Sequence, residues 1–350
     1  MVYDKITSTS EAAVHYRYIP SERIAILHLR GIGYASAASL MFGLGVVLAK
    51  LLSGEIDATI VAMLALSAGG LLLALCLLFT GIRFLCILSL LKPGDWLQLV
   101  LLACPGTALP LLLIVAGFAR TSALEGGLLL QLNGLAAMLF AVLLLRERIN
   151  PKQGLGILFL LLGGVLIVVG GASSGGASGW LGDLLILMGA LGLGFGFVPA
   201  KRLADQIDPL TLSALRLLIG AVCIVPILAA QVFIQKDALL WRPSLTSLWA
   251  LPLYIVSNFC MAYLLQQAGF RLIKAWEMAA IMQSVPLFST TIAVLLLHDT
   301  ITLVQAIGGL LAIVGGLVVV LSARKAAEET PAEPAANVET NARLYRSNPE

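Results

Sequence analysis

The sequence predicts an all-α polytopic membrane protein: ten transmembrane helices arranged as two inverted five-helix repeats. Three observations carry that fold class. Of 350 residues, 59% are apolar and 12% charged, with a mean hydropathy of +0.99, whereas soluble domains average roughly 45–50% apolar and about 25% charged. So little polar surface cannot coat a water-facing core, which excludes an ordinary soluble enzyme. The apolar residues fall into ten runs near the ~20-residue length that spans a bilayer, and the second half of the chain repeats the first.

The elements follow in order. Residues 1–30 hold Asp4, Lys5, Glu11, Arg17, Glu22 and Arg23 without the apolar core of a signal peptide, so they read as a cytoplasmic N-terminal tail. Spans are predicted at 31–52, 57–80, 95–118, 121–145 and 153–171, forming a first repeat over 31–171. A Gly/Ser linker, 172–179, separates it from a second repeat over 180–322, with spans at 180–200, 209–233, 245–269, 275–297 and 303–322. Turn chemistry marks the breaks: Lys92-Pro93-Gly94, Asn150-Pro151, Asp208-Pro209 and Arg242-Pro243. Residues 81–91 are apolar but too short to span, and read as a helix extension or an interfacial segment. The segment 323–350, rich in Ala, Glu, Pro and Asn, reads as a disordered cytoplasmic tail. Fifteen Lys and Arg gather on one side of the spans against Lys50, Arg120, Lys236 and Arg242 on the other, which places both termini in the cytoplasm of an inner-membrane protein.

The duplication shows at an offset of 152, where Glu125 meets Glu277, Gln131 meets Gln283, Glu147 meets Asp299, Gln153 meets Gln305 and Gly163 meets Gly315. At 151, Gly43, Gly45, Lys50 and Asp57 meet Gly194, Gly196, Lys201 and Asp208. Apolar composition alone does not pair glutamates, glutamines and lysines. Five helices per copy insert the second copy upside down, and halves so related can exchange outward- and inward-open conformations, which is alternating access.

The runs LLLRERINPKQGLGILFLLLGGVLIVVGG (143–171) and SVPLFSTTIAVLLLHDTITLVQAIGGLLAIVGGLVVVL (284–321) resemble the paired EamA domains of the drug/metabolite transporter superfamily. Pro286, Asp299, Gln305 and Gly308 match the pattern in the second copy, and Glu147, Gln153 and Gly156 in the first. The chain departs from it at Gly134, where Pro is usual, and at Ala65, where the second copy has Arg216. The resemblance implies a ten-helix transporter of small polar or amphipathic metabolites, often exporting them, with a cavity between helices 1, 3, 4, 6, 8 and 9. Export of metabolites such as amino acids is the leading expectation. A uniporter or exchanger of the same fold is one alternative, and an integral-membrane enzyme on lipid-like substrates is another; the loops, however, lack the clustered acids or histidines such an enzyme uses.

Ionisable groups inside spans point to function, because each costs ~2.5–3.5 kcal/mol or more at mid-membrane. Glu125 and Glu277, about one turn inside their helices, are the coupling candidates; they bind protons or a substrate ammonium, or else cap their first turns. Gln131, Asn133, Gln283 and Ser284 lie deeper and are read as cavity contacts or interhelical hydrogen bonds. Asn258, Ser257 and Tyr254 join the same cavity, with Trp276 as a stacking wall or part of the interfacial aromatic belt. Lys50 and Lys201 are read as gate residues or as helix-end charges. Arg216, two turns inside its span, calls for a partner such as Asp183 or a backbone carbonyl. Glu147 and Asp299 are read as turn architecture, and His298 as a satisfied interface histidine. The glycine faces at 156–164 and 308–316 permit close packing within a protomer or across a homodimer. The five cysteines stand apart without a metal or disulfide pattern, no phosphate-cradling motif occurs, and the scattered charge offers nucleic acid no stripe, so a small solute and the lipid bilayer are the expected partners and no cofactor is expected.

Overall fold

The computed structural model describes residues 21–52, 55–80, 91–118, 120, 123–147, 149–171, 180–235, 244–297 and 302–329. The far termini, 81–90, the linker 172–179, His298 and Asp299 lie outside the described residues, as do the side chains of Lys50, Glu125 and Gln131. Every span is helical. We number them α1 (Ser21–Leu52), α2 (Ala58–Phe79), α3 (Pro93–Ala103, Cys104–Ala108 and Leu109–Phe118), α4 (Ala123–Leu145) and α5 (Pro151–Gly171) in the first repeat. In the second they are α6 (Trp180–Ala204), α7 (Pro209–Gln235), α8 (Leu245–Tyr254, Ile255–Met261 and Ala262–Phe270), α9 (Ala275–Met282 and Val285–Leu297) and α10 (Leu303–Glu329). Seven described helices are long and apolar enough to cross a membrane, and shorter apolar stretches at Leu132–Leu145, Pro151–Leu166 and Leu303–Val318 complete the ten. Large apolar side chains such as Leu78, Val222, Leu295 and Leu310 stand outward, which suits lipid.

The paired polar residues of the two repeats begin equivalent helices. The Asp57 carboxylate accepts from the Thr59 N–H at 2.8 Å to start α2, and Asp208 accepts from Leu210 and Thr211 at 3.1 and 2.9 Å to start α7. Gln153 reaches back to the Asn150 N–H at 2.8 Å ahead of α5, and Gln305 to the Thr302 N–H at 2.9 Å ahead of α10. Each satisfies a first-turn donor that hydrocarbon or head groups would leave open. The glycine faces then meet within one chain. A Cβ on Gly163 would stand 2.6 Å from the backbone of Ala312 and Gly308, and one on Gly315 would stand 2.6 Å from Leu160 N and 2.7 Å from Gly156 O. These reciprocal contacts lock α5 to α10.

Four features differ from the sequence reading. α1 starts at Ser21, ten residues before the predicted span, because Ser21 and Glu22 follow Pro20 and form a helix start. α10 runs on to Glu329, since Ala and Lys propagate a helix past the apolar stretch. The span at 275–297 is two helices: Pro286 cannot donate to the carbonyl of Met282, and the chain turns at Gln283 and Ser284. At that turn the Ile281 carbonyl accepts the Ser284 N–H, the Ser284 hydroxyl and, from α1, the Ser39 hydroxyl. Finally, Cys104 and Cys223 are joined as a disulfide between α3 and α7, with Cα atoms 6.2 Å apart. A pair 119 residues apart in sequence leaves no local spacing for a motif to show.

Candidate functional site

A cavity of about 480 Å³ lies among α1, α3, α4, α6, α7, α8 and α9, within the ~300–1,000 Å³ of small-molecule sites. Both of its long walls contain a π-helical turn. Cys104–Ala108 in α3 and Ile255–Met261 in α8 occupy equivalent places in the two repeats, and each lies near a proline, Pro105 or Pro252, that removes a ladder donor. Such turns recur at functional sites because they re-aim side chains and loosen carbonyls from the ladder. At the first, the Thr107 hydroxyl donates to the Leu102 carbonyl at 2.7 Å; at the second, the Ser257 hydroxyl donates to Leu253 at 2.7 Å.

Phe42, Leu193, Phe197, Ile114 and Val285 make most of the lining apolar, and its polar points come from Asn133, Asn258, Tyr254, Gln266 and Ser289. Arg216 is the single ionised side chain among the described residues that line it. It sits seven residues, about 10 Å, along α7 from Pro209, and is only 5% exposed. Its Nε donates to Thr107 Oγ1 at 2.7 Å, its Nη1 donates to Gln266 Oε1 at 3.1 Å, and its guanidinium lies 4.1 Å above the Tyr263 ring. Neither Asp183 nor a backbone carbonyl is among these partners. Asp183 stands in the first turn of α6, at the opposite end of the bundle, so the expected pairing is out of reach.

The other sequence candidates divide. Asn133, Asn258 and Tyr254 line the cavity, whereas Gln283, Ser284 and Trp276 stand outside its described lining. The break in α9 turns Gln283 against α4, where a Cβ on Gly134 would be 2.2 Å from its Oε1; glycine replaces proline there to make room. Ser257, also expected in the cavity, is buried and bonds within α8. Trp276 belongs neither to the cavity wall nor to an aromatic belt. It is 1% exposed, because Glu147 of the other repeat accepts the N–H groups of Ala275 and Trp276 at 2.9 and 3.0 Å and draws that turn inward.

Glu277 also closes on the chain. Its carboxylate accepts from the Lys274 N–H at 3.0 Å, a first-turn cap, and meets His28 Nε2 of α1 at 3.2 Å. His28 lies three residues before the span predicted at 31–52, so this partner escaped the sequence reading. Lys201 donates to the Phe270 carbonyl, and Arg271 returns a bond to the Ala204 carbonyl at 2.8 Å, so α6 and α8 cap each other's ends. At the opposite end of the bundle, Glu55 accepts from the Ser244 hydroxyl at 2.7 Å and ties the α1–α2 connection to the start of α8. That hydroxyl, chiefly, holds the Glu55 carboxyl below its usual range. No group of three His, Cys, Asp or Glu converges among the described residues as a metal site would require.

A multi-pass helical membrane protein built of two repeats around one central cavity is, in class, a membrane transporter. The family comparison gives its place: the EamA-like transporter family matches residues 29–169 and again 180–321, and the chain belongs to that family. It is similar to an uncharacterized transporter of Methanothermobacter thermautotrophicus, 25% identical over 230 residues that make up 64% of either chain. It is also similar to the uncharacterized transporter YyaM of Bacillus subtilis, 26% identical over 209 residues, 59% of this chain and 67% of that one. A solved crystal structure superposes with a TM-score of 0.68 at 18% identity, covering 88% of this chain and 99% of the other, and this likeness shows the fold.

Proposed function

We propose that the protein is a secondary transporter of small amphipathic metabolites, amino acids among them, working as an exporter by alternating access in the cytoplasmic membrane with both termini inside. The cavity between the two inverted repeats carries this reading. It is mostly apolar with a few fixed polar groups, the composition that orients a small solute. Its walls bend at two equivalent π turns and at the broken α9, so rocking of one repeat against the other has hinges to use. The charge bias of the loops supports the orientation. Glu277, bonded to His28 across α1 and α9, and its repeat mate Glu125 are the groups through which a proton gradient would couple.

The test is efflux from proteoliposomes loaded with a mixed pool of amino acids and small metabolites, followed by mass spectrometry with and without an imposed proton gradient. Saturable efflux of one solute class that responds to the gradient is expected, and Glu277→Gln with Glu125→Gln should remove the response. Gradient-driven efflux unchanged in that double variant would remove both carboxylates from the coupling, and absence of efflux from folded protein would overturn the transporter mechanism proposed.

A further inference from the structure

Arg216 is a cation buried in a membrane span, and among the described residues no carboxylate pairs with it. A charge in that position needs a counter-charge or a function. The fold does not need it, since the equivalent place in the first repeat is Ala65, and the groups that hold it, Tyr263 and Gln266, correspond there to Leu111 and Ile114. The side chain is nonetheless held in place. The Thr107 hydroxyl spends its proton on the Leu102 carbonyl and so offers only lone pairs to Nε, Gln266 takes Nη1, and the Tyr263 ring supports the guanidinium plane. Among the described residues Nη2 takes no partner, and the group lines the cavity. A planar guanidinium with its remaining donors facing a largely apolar space is built to receive a carboxylate.

Resting on the transport reading above, we infer that the substrate is a small organic acid whose single carboxylate binds Arg216 and whose apolar body lies along Phe42, Phe197 and Ile114. One cation matches one negative charge. A phosphate ester, at about −1.5 to −2, would leave charge uncompensated among apolar walls, and an amine would meet a like charge with no acid to receive it.

The experiment pairs equilibrium binding to the detergent-solubilised protein, read by calorimetry, with counterflow in proteoliposomes. The probes are straight-chain and phenyl-substituted monocarboxylates of four to ten carbons, the amide and amine of each, and phenyl phosphate. Binding of acids over their amides, amines and phenyl phosphate is expected. Arg216→Gln should weaken acid binding by about 10- to 100-fold, the worth of a charge-assisted pair out of water, while Arg216→Lys keeps the preference for acid at lower affinity. Gln266→Glu supplies the missing counter-charge without removing Arg216, so it should abolish acid binding in a folded protein even where Arg216→Gln fails to fold. Acid binding that survives Gln266→Glu, or no acid bound by folded wild type, overturns the inference. Counterflow that prefers amines overturns it and leaves transport standing. Arg216-dependent acid binding without counterflow upholds the anion site and removes the transport reading instead.

Discussion

The same helix crossing is built twice in this protein and filled differently. In one, α3 meets α6 with Gly106 against Gly196: a Cβ on Gly106 would lie 2.8 Å from Gly196 Cα, and one on Gly196 would lie 2.7 Å from Gly106 O. In the other, α8 meets α1 with Asn258 against Gly45, the residues that correspond to Gly106 and Gly196 by the repeat offsets. Both crossings sit on a π turn. The first is closed by backbone on backbone, and the second opens a carboxamide to the cavity. Arg216, Tyr263 and Gln266 follow the same rule, corresponding to Ala65, Leu111 and Ile114 in the other copy. Duplication preserved the backbone that the fold requires, and most of the polarity of the site was placed in the second copy, with Asn133 and Thr107 added from the first. A polar residue whose repeat mate is small or apolar is therefore the better candidate for solute recognition, and a polar pair shared by both copies the better candidate for architecture or, as proposed for Glu125 and Glu277, for coupling.

The largest expected effect breaks the closed crossing. Gly106→Val sets a branched side chain against the backbone of Gly196, where nothing can retreat, and its destabilisation should lie at the top of the ~1–3 kcal/mol range of overpacking; loss of the monodisperse peak in detergent chromatography reads it. Gly45→Ala meets Asn258 as well, but only its side chain: the carboxamide can swing away, while Asn258 Cβ, 2.8 Å from the added carbon, gives only by a small shift of α8. It should cost about 1–2 kcal/mol, less than Gly106→Val, while lowering solute affinity, and equal destabilisation by the two variants would erase the distinction between the crossings. Next comes the cap that one repeat lends the other. Glu147→Ala leaves the Ala275 and Trp276 N–H groups open and should cost about 0.5–2 kcal/mol, seen as a lower unfolding temperature. Smallest is the tie at the opposite end. The Glu55 carboxyl is held below its ordinary 4.5, chiefly by the Ser244 hydroxyl. Its stabilising contribution is therefore complete above pH 4.5 and lost as the pH falls through the depressed value. Glu55→Gln, which leaves the Ser244 cap of α8 in place, should flatten the acid limb of a stability–pH curve by removing that contribution above pH 4.5.

Much of the fold was legible because a bilayer leaves few choices. Span length, the Lys and Arg bias and paired residues such as Asp57 with Asp208 and Gln153 with Gln305 follow from satisfying backbone groups in hydrocarbon, and the last four are the caps those positions demand. Local chemistry marked Pro286, yet the turn in the broken helix is also bonded by Ser39 of α1, which donates to the Ile281 carbonyl, a contact 242 residues distant. The site was less legible for the same reason. Asn133, Asn258 and Tyr254 could be read by depth and polarity, but the direction a side chain faces depends on π turns that shift the helical phase. Gln283 and Ser284 fall outside the lining because α9 breaks at them, Trp276 because Glu147 of the other repeat draws its turn inward, and the partners of Arg216 come from α3 and α8, which no spacing along α7 reveals. His28 falls just before the span predicted at 31–52.

The most direct test of the account is whether the two ends of the bundle open in alternation. Spin labels at Arg30 and Lys274 report α1 against α9 at the end where His28 meets Glu277, and labels at Glu55 and Leu245 report the opposite end, where Glu55 meets Ser244. Pulsed dipolar spectroscopy on the protein in lipid nanodiscs, across pH and with solute added, should give two distances for each pair, the longer at one end rising as the longer at the other falls. A single unchanging distance at both ends under every condition would contradict alternating access between the repeats.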